Sequence, residues 1–303
     1  MSQLAHMIDE MFSREMSLRG RAFINYQALA SVECREMPVD GFPARLFFNP
    51  AREASVMAKV DEETLRRRKC FLCPDGLEEK QQTTLWRSAG GTEYWIRVNP
   101  FPIFDHHFTI SVARHERQQI GGHYADMLSL AEELPEYTIF YNGPRCGASA
   151  PDHMHFQAVP DGSLPMQQLV REGRYLRVLS SDKGAEISKI EKYTEGAFVL
   201  RSVDRQAMEV RFAYLVSLGE IQSLCEWEPR MNIISWKDGQ QFVTIVFFRA
   251  ESRPECFFST NPDENILISP ASVEMSGVAI VSSAESFRKL SSKRLGEIIK
   301  EVS

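Results

Sequence analysis

Residues 153–158 read His-Met-His-Phe-Gln-Ala, a strict alternation of polar and apolar side chains. On a β-strand that period sends His153, His155 and Gln157 to one face and Met154, Phe156 and Ala158 to the other, into a core. A strand over 153–159 is therefore expected, with three polar groups in a row on its open face, neighbours about 6–7 Å apart. The loop before it, "NGPRCGAS" at 142–149, can turn backbone N–H groups and the Ser149 hydroxyl toward an anion. Neutral imidazole is nucleophilic near pH 7 and can attack phosphorus, and such a loop stabilises the charge that builds on phosphoryl oxygens. A half-exposed strand that happens to carry histidine, behind a plain Gly-rich turn, has the same pattern.

The chain around this segment predicts an α+β protein, an antiparallel sheet with flanking helices. A helix is expected over 1–30 and strands over 44–50, 92–100, 106–113, 136–142 and 153–159, with a helix near 117–134 between the third and fourth. The stretch 161–200 is polar and irregular in pattern. A helix then fits 203–224, two β-rich runs flank Asp238-Gly239 as a hairpin, and 284–302 is an amphipathic helix. The elements fall in two batches, giving a first lobe at 1–160, a connecting segment at 161–190 and a second lobe at 191–303.

A formal charge of −6 over 303 residues offers no general attraction to nucleic acid or anionic lipid, so a phosphate ligand must be met locally. The basic run Leu65–Lys69 follows Asp61-Glu62-Glu63 and reads as a solvated helix face. No apolar stretch approaches the length of a membrane span, and the amphipathic, acidic N-terminus does not resemble a signal peptide, so a cytoplasmic protein is expected. In that compartment the six cysteines are thiols or metal ligands, and only Cys70 and Cys73 form a motif.

The segment "FYNGPRCGASAPDHMHFQA" resembles the active-site stretch of the histidine-triad superfamily, in the branch with a His-x-His-x-Gln motif. That branch holds the galactose-1-phosphate uridylyltransferases, the diadenosine tetraphosphate phosphorylases and the GDP-L-galactose phosphorylases. "FFNPAREASVMAKVDEETLRRRKCFLC" (47–73) is similar to the uridylyltransferase segment running from an Asn-Pro strand to the paired cysteines. "RVNPFPIFDHHFTISVARHERQQI" (97–120) resembles the strand pair that follows. The resemblance covers about 45–160 and implies two histidine-triad-like lobes, the second here without the motif.

By that resemblance His155 is the nucleophile and Gln157 contacts the transferred phosphoryl group, glutamine at this place going with transferases and phosphorylases. Asn142, Gly147 and Ser149 fall at phosphate contacts, and Asn99 with Phe101 at ribose and base. Asp152 is an extra residue where the family has Pro-His-x-His. A tetrahedral zinc ion needs two ligands beyond Cys70 and Cys73; the resemblance supplies His115 and His153. His106 and His107 compete with His115 for the third place, and two packed thiols are the metal-free alternative. His6 and His123 read as surface residues. Arg52, Lys59, Arg249 and Arg253 are candidates for a leaving or entering phosphate.

The implied activity is nucleotidyl transfer or phosphorolysis of a nucleoside diphosphate sugar or dinucleoside polyphosphate through nucleotidyl-His155, with phosphate or a sugar phosphate as acceptor. The partners are those small molecules, with neither nucleic acid polymer nor membrane, and a homodimer is compatible. A histidine-triad-like hydrolase and a silent nucleotide-binding protein are the alternatives. A metal-dependent oxygenase or isomerase would need a carboxylate and another histidine soon after the pair, and no histidine follows His155.

Overall fold

Met154, Phe156 and Ala158 are fully buried, as the alternation requires, in a core shared with four of the described helices. The strand that carries Phe156 and Ala158 belongs to a ten-stranded sheet in the computed structural model, which describes residues 2–53, 61–76, 81–182, 184–222 and 228–303. A small sheet is formed by β1 (Glu33–Glu36), β2 (Arg45–Phe48) and, parallel to β2, β13 (Val278–Val281). The large sheet contains β3 (Thr83–Arg87), β4 (Glu93–Val98), β5 (Phe108–Val112), β6 (Tyr137–Asn142) and β7 (His155–Pro160). It continues with β8 (Leu176–Asp182), β9 (Ala185–Ile190), β10 (Ala197–Ser202), β11 (Met231–Asp238) and β12 (Gln241–Phe248). Its order is β3-β4-β5-β7-β6-β11-β12-β10-β9-β8 and every pairing is antiparallel.

Read outward from the central β6–β11 pair, the two halves have the same order, with β12 in the place of β7. A helix precedes the central strand in each half, Tyr124–Glu133 before β6 and Arg205–Gln222 before β11. The protein is thus an α+β fold of two lobes joined edge to edge in one sheet. One face of the sheet packs on these two helices and on Gln3–Ser17, which buries Leu4, Ala5, Ile8 and Met11 and is capped by the Ser2 hydroxyl accepting from the Ala5 N–H at 3.0 Å. The other face lies under the small sheet and the helices Pro165–Arg171, Ser272–Met275 and Ser292–Glu301. On that second face β12 presents Val243, Ile245 and Phe247, all core residues, where β7 presents His155 and Gln157. The second lobe has its equivalent surface filled with hydrocarbon.

Several expected elements are altered. Residues 1–30 form two helices, Gln3–Ser17 and Arg21–Ala28, because Arg19 turns left-handed at φ 51° beside Gly20. The helix expected from 117 begins at Tyr124, after Gly121-Gly122, and the C-terminal helix is divided into Ala284–Lys289 and Ser292–Glu301. The stretch 161–200 is not irregular: it contains the helix Pro165–Arg171 and β8, β9 and β10, so the presumed connecting segment supplies two strands of the second half. β8 is an edge strand with five of its seven residues exposed and none buried, so no apolar alternation marks it. The hairpin at Asp238-Gly239 forms with Gly239 at φ 57°. Residues 223–224 of the expected helix, Lys59 and Cys225 lie outside the described residues. No helix among the described residues is long and apolar enough to cross a membrane.

Candidate active site

His153 sits in the turn before β7, and the strand begins two residues later than expected, at His155. Neither ring is on an open face. His153 is fully buried and His155 is 4% exposed, at the wall of a cavity of about 680 Å³. The His155 Nδ1–H donates to the main-chain carbonyl of His153 at 2.8 Å, which leaves Nε2 with a lone pair at the cavity. Burial pulls its pKa down to about 4, against the opposing effect of that hydrogen bond, so the ring is neutral at physiological pH. Gln118, fully buried, ties the segment together. Its Oε1 accepts from the His155 N–H at 2.7 Å, while Nε2 donates to the carbonyls of Asn142 at 2.9 Å and His155 at 3.1 Å.

Two amides also line the cavity with their oxygens already occupied. Gln157 Oε1 accepts from His107 at 2.9 Å and from Asn99 Nδ2 at 3.3 Å. Asn142 Oδ1 accepts from Asn232 Nδ2 at 3.0 Å and from the Ser272 N–H and hydroxyl at 2.8 and 2.7 Å. The remaining hydrogen-bonding group on each is an NH₂ donor. Ser149 and Phe101 line the same cavity, as does Gly147 at φ 89°, where a Cβ would lie 2.4 Å from that of Ala271. Only glycine gives the loop that close approach. Asn99 is a cavity residue with both ends of its amide committed to protein, Oδ1 accepting from the Phe101 N–H at 2.9 Å and Nδ2 donating to Thr109 at 3.0 Å.

Among the described residues the charge at the cavity is set by five arginines, Arg21, Arg52, Arg68, Arg97 and Arg253, against one carboxylate, Glu274. Arg97 is buried, donates to the carbonyl of Leu72 at 3.1 Å and to Ser111 Oγ at 2.9 Å, and is held down to about 10 by burial. Arg52 donates to the Phe101 carbonyl and is likewise lowered to about 10 by burial. Burial raises Glu274 to about 7; its Oε2 accepts the Ala271 N–H at 2.9 Å. Arg249 is not among the cavity residues. It is buried and spends its guanidinium on Asn232 and on the carbonyls of Val302, Pro270 and Glu251. Asp152 pairs with Arg68, fastening the Cys-x-x-Cys segment to the histidine loop, while Arg66 and Arg67 of the basic run are exposed as expected.

Beside the cavity Cys70, Cys73, His115 and His153 bring their ligand atoms within 4.8 Å of one another and could hold a metal ion. The hydrogen bonds suit that use. The His153 Nε2–H donates to the Val112 carbonyl at 2.7 Å, so Nδ1, 3.2 Å from Cys70 Sγ, keeps its lone pair. His115 Nδ1 is 3.2 Å from Cys73 Sγ. Metal-bound imidazoles are ordinarily oriented by this kind of carbonyl partner on the far nitrogen. Neither competitor for the third place is near: His106 stacks on Phe12 with centroids 4.1 Å apart, and His107 is in the core against Gln157. His6 is exposed beside Glu10, but His123 is not a surface residue, being held by the Tyr94 hydroxyl at 2.8 Å and by Glu116 at 3.0 Å.

Residues 11–160 match the family model described as a domain of unknown function, DUF4922. No curated protein matches the chain by sequence. In three dimensions it is similar to the yeast Ap4A phosphorylase Apa2, at 14% identity and a TM-score of 0.66 over 100% of this chain and 98% of that one. The complex of the same enzyme with Ap4A aligns at 15% identity and TM-score 0.67 over the same shares. Its complex with AMP aligns at 15% identity and TM-score 0.60 over 98% and 96%. The chain has the histidine-triad fold. Within that fold, the sequence alone did not single out Gln118, Arg97 and Glu274, and it offered His107 only as a metal ligand. An arginine and a threonine alternating with apolar residues on paired strands, "YWIRV" and "FTISV", signal a polar face opposite the core, but which of its members reaches a ligand is decided by register.

Proposed function

We propose that this protein is a nucleotidyltransferase or phosphorylase acting on a nucleoside diphosphate sugar or a dinucleoside polyphosphate by double displacement. The observation that carries the proposal is His155, a neutral ring with Nδ1 locked and the lone pair left on Nε2, at the wall of a cavity whose described lining includes five arginines and the amides of Gln157 and Asn142. The likeness to a phosphorylase solved with Ap4A and with AMP supports the same ligand class. In the first step the Nε2 lone pair forms a bond to the α-phosphorus and the bond from phosphorus to the leaving oxygen breaks, that oxygen keeping the electron pair. An oxygen of phosphate or of a sugar phosphate then attacks the same phosphorus and the P–N bond breaks, returning the pair to Nε2. Positive charge on the intermediate ring is met by the His153 carbonyl at Nδ1, and phosphoryl charge by the NH₂ groups of Gln157 and Asn142, Ser149 and the Gly147 loop. Phe101 is the candidate surface for the base, Asn99 for the ribose edge and Arg52 for the distal phosphate. Cys70, Cys73, His115 and His153 would hold zinc as a structural ion, and residues 1–160 would be the catalytic lobe.

Because burial lowers His155 to about 4, the nucleophile stays unprotonated well below the ~6.5 of a free imidazole. Single-turnover formation of the nucleotidyl enzyme should thus hold its rate from pH 7.5 down to about 5.5; a loss centred on 6.5 would mean an exposed, ordinary ring. The wider test is incubation with a panel of nucleoside diphosphate sugars and dinucleoside polyphosphates, with and without phosphate, followed by chromatography. Nucleotide release that depends on phosphate or a sugar phosphate is expected. Release that proceeds equally in plain buffer identifies a hydrolase, and binding without release identifies a silent nucleotide-binding protein.

A further inference from the structure

The loop at 99–103 reaches Gln157 through two side chains whose orientations are set by backbone N–H groups, which can only donate. The Ile103 N–H donates to His107 Nδ1 at 3.3 Å, so the proton of this neutral ring is on Nε2, and Nε2 lies 2.9 Å from Gln157 Oε1. The Phe101 N–H donates to Asn99 Oδ1 at 2.9 Å, so Asn99 Nδ2 is turned the other way, 3.3 Å from the same Gln157 oxygen. Two donors therefore meet on one carbonyl oxygen of Gln157, and the amide cannot flip without setting its own NH₂ against both. Its nitrogen makes no protein hydrogen bond among the described residues, and the side chain lines the cavity.

We infer that His107, with Asn99 beside it, is a positioning residue for the transfer reaction, holding the Gln157 amide with its NH₂ toward the phosphoryl group that His155 receives. The inference rests on the reading of His155 as nucleophile. His107 does not line the cavity: it is fully buried, its ring tilted against Phe140 with centroids 6.0 Å apart, and its main-chain N–H and C=O are held by the Tyr26 hydroxyl at 3.1 and 2.9 Å. Burial, with the Arg52 charge adding, pulls the ring down to about 3, so it keeps a single N–H across the working pH range. Glutamine at 157 is an ambiguous partner for a phosphoryl oxygen, because half of its end groups repel an anion. The loop removes that ambiguity before substrate arrives, which places the effect on the chemical step and not on ground-state binding.

The test has two arms. Nitrogen NMR of the intact wild-type protein reports the His107 tautomer without any substitution: a proton on Nε2 and a bare Nδ1 are expected, and a proton on Nδ1 overturns the inference. In the kinetic arm, His107→Leu should lower kcat about ten- to a hundredfold with KM for the nucleotide within about threefold. His107→Gln, which returns a donor near the Nε2 position, should recover most of the loss. Added to Gln157→Ala, His107→Leu should have no further effect, since it acts only through that amide. Additive losses, or a Leu variant that raises KM and leaves kcat alone, would show a structural role and sink the inference. Should His107→Leu fail to fold, the tautomer and the Gln variant still decide. A wild-type protein with no transfer activity refutes the nucleophile reading instead, an outcome separate from either tautomer result.

Discussion

Replacing His155 with alanine is expected to abolish nucleotidyl transfer, a loss of about 10⁴-fold or more in kcat, with nucleotide affinity within about tenfold of the wild type. The asymmetry follows from where the groups are anchored. The ring contributes one hydrogen bond to the fold, from Nδ1 to the His153 carbonyl, whereas the strand is held independently by Gln118 and by the β5 and β6 ladders. The cradle is anchored elsewhere: Asn142 by Asn232 and Ser272, and Gln157 by His107 and Asn99. Single-turnover kinetics beside titration calorimetry separates the two quantities. Retained transfer in the alanine variant, or affinity lost together with rate, contradicts the assignment.

Loss of the metal is expected to have the second largest effect, and on stability before activity. The four groups fasten the turn after the helix Glu62–Arg67 to the end of β5 and the turn before β7; the last two are already tied by main-chain bonds, such as the Met154 N–H to the Glu116 carbonyl at 2.7 Å, whereas the cysteine turn is held by the Arg68–Asp152 pair and by Arg97 on the Leu72 carbonyl. Bound zinc contributes several kcal/mol to such a clasp. Cys70→Ser should abolish stoichiometric zinc and lower the melting temperature by roughly 10 °C, taking a few degrees per kcal/mol for a chain of this size. Transfer should fall as well, because the His153 carbonyl that orients His155 belongs to one of the four residues that would hold the ion. Elemental analysis with thermal melts is the check. A wild-type protein that carries no metal and melts like the Ser variant would remove the ion and leave the claim for His155 intact.

Much of this was legible because the constraints are local. The period of two at 153–158 put Met154, Phe156 and Ala158 in the core and His155 and Gln157 on the other side, at the cavity, even though the regular strand begins at His155; His153, in the irregular step before it, is fully buried and does not line the cavity. The choice of His115 over His106 and His107 came from resemblance and not from periodicity; space puts His107 and His115 at opposite ends of β5. What the chain did not disclose depends on pairing between distant segments. His107 reaches Gln157 only through the β5–β7 register, in which Thr109 faces Gln157. Glu274 enters the cavity from the far end of the sequence, where no motif marks it, whereas Arg253, a phosphate candidate on the sequence alone, lines the same cavity. Asp152 looked like a disturbance of the loop until its partner, Arg68, was placed 84 residues away. Of the strands in 161–200, β8 escaped notice because an edge strand facing solvent lacks the apolar alternation by which strands are read, whereas β9 and β10 are interior strands whose third and fourth residues are both buried, which breaks the strict alternation.

The central claim is that His155 becomes covalently nucleotidylated. A substrate labelled at the α-phosphate, mixed with wild-type protein in the absence of acceptor, should leave acid-labile, alkali-stable label that peptide mapping assigns to His155. Inorganic phosphate or a sugar phosphate should then discharge it much faster than water does. Release of product with no label on His155, or label on another residue that survives His155→Ala, contradicts the account.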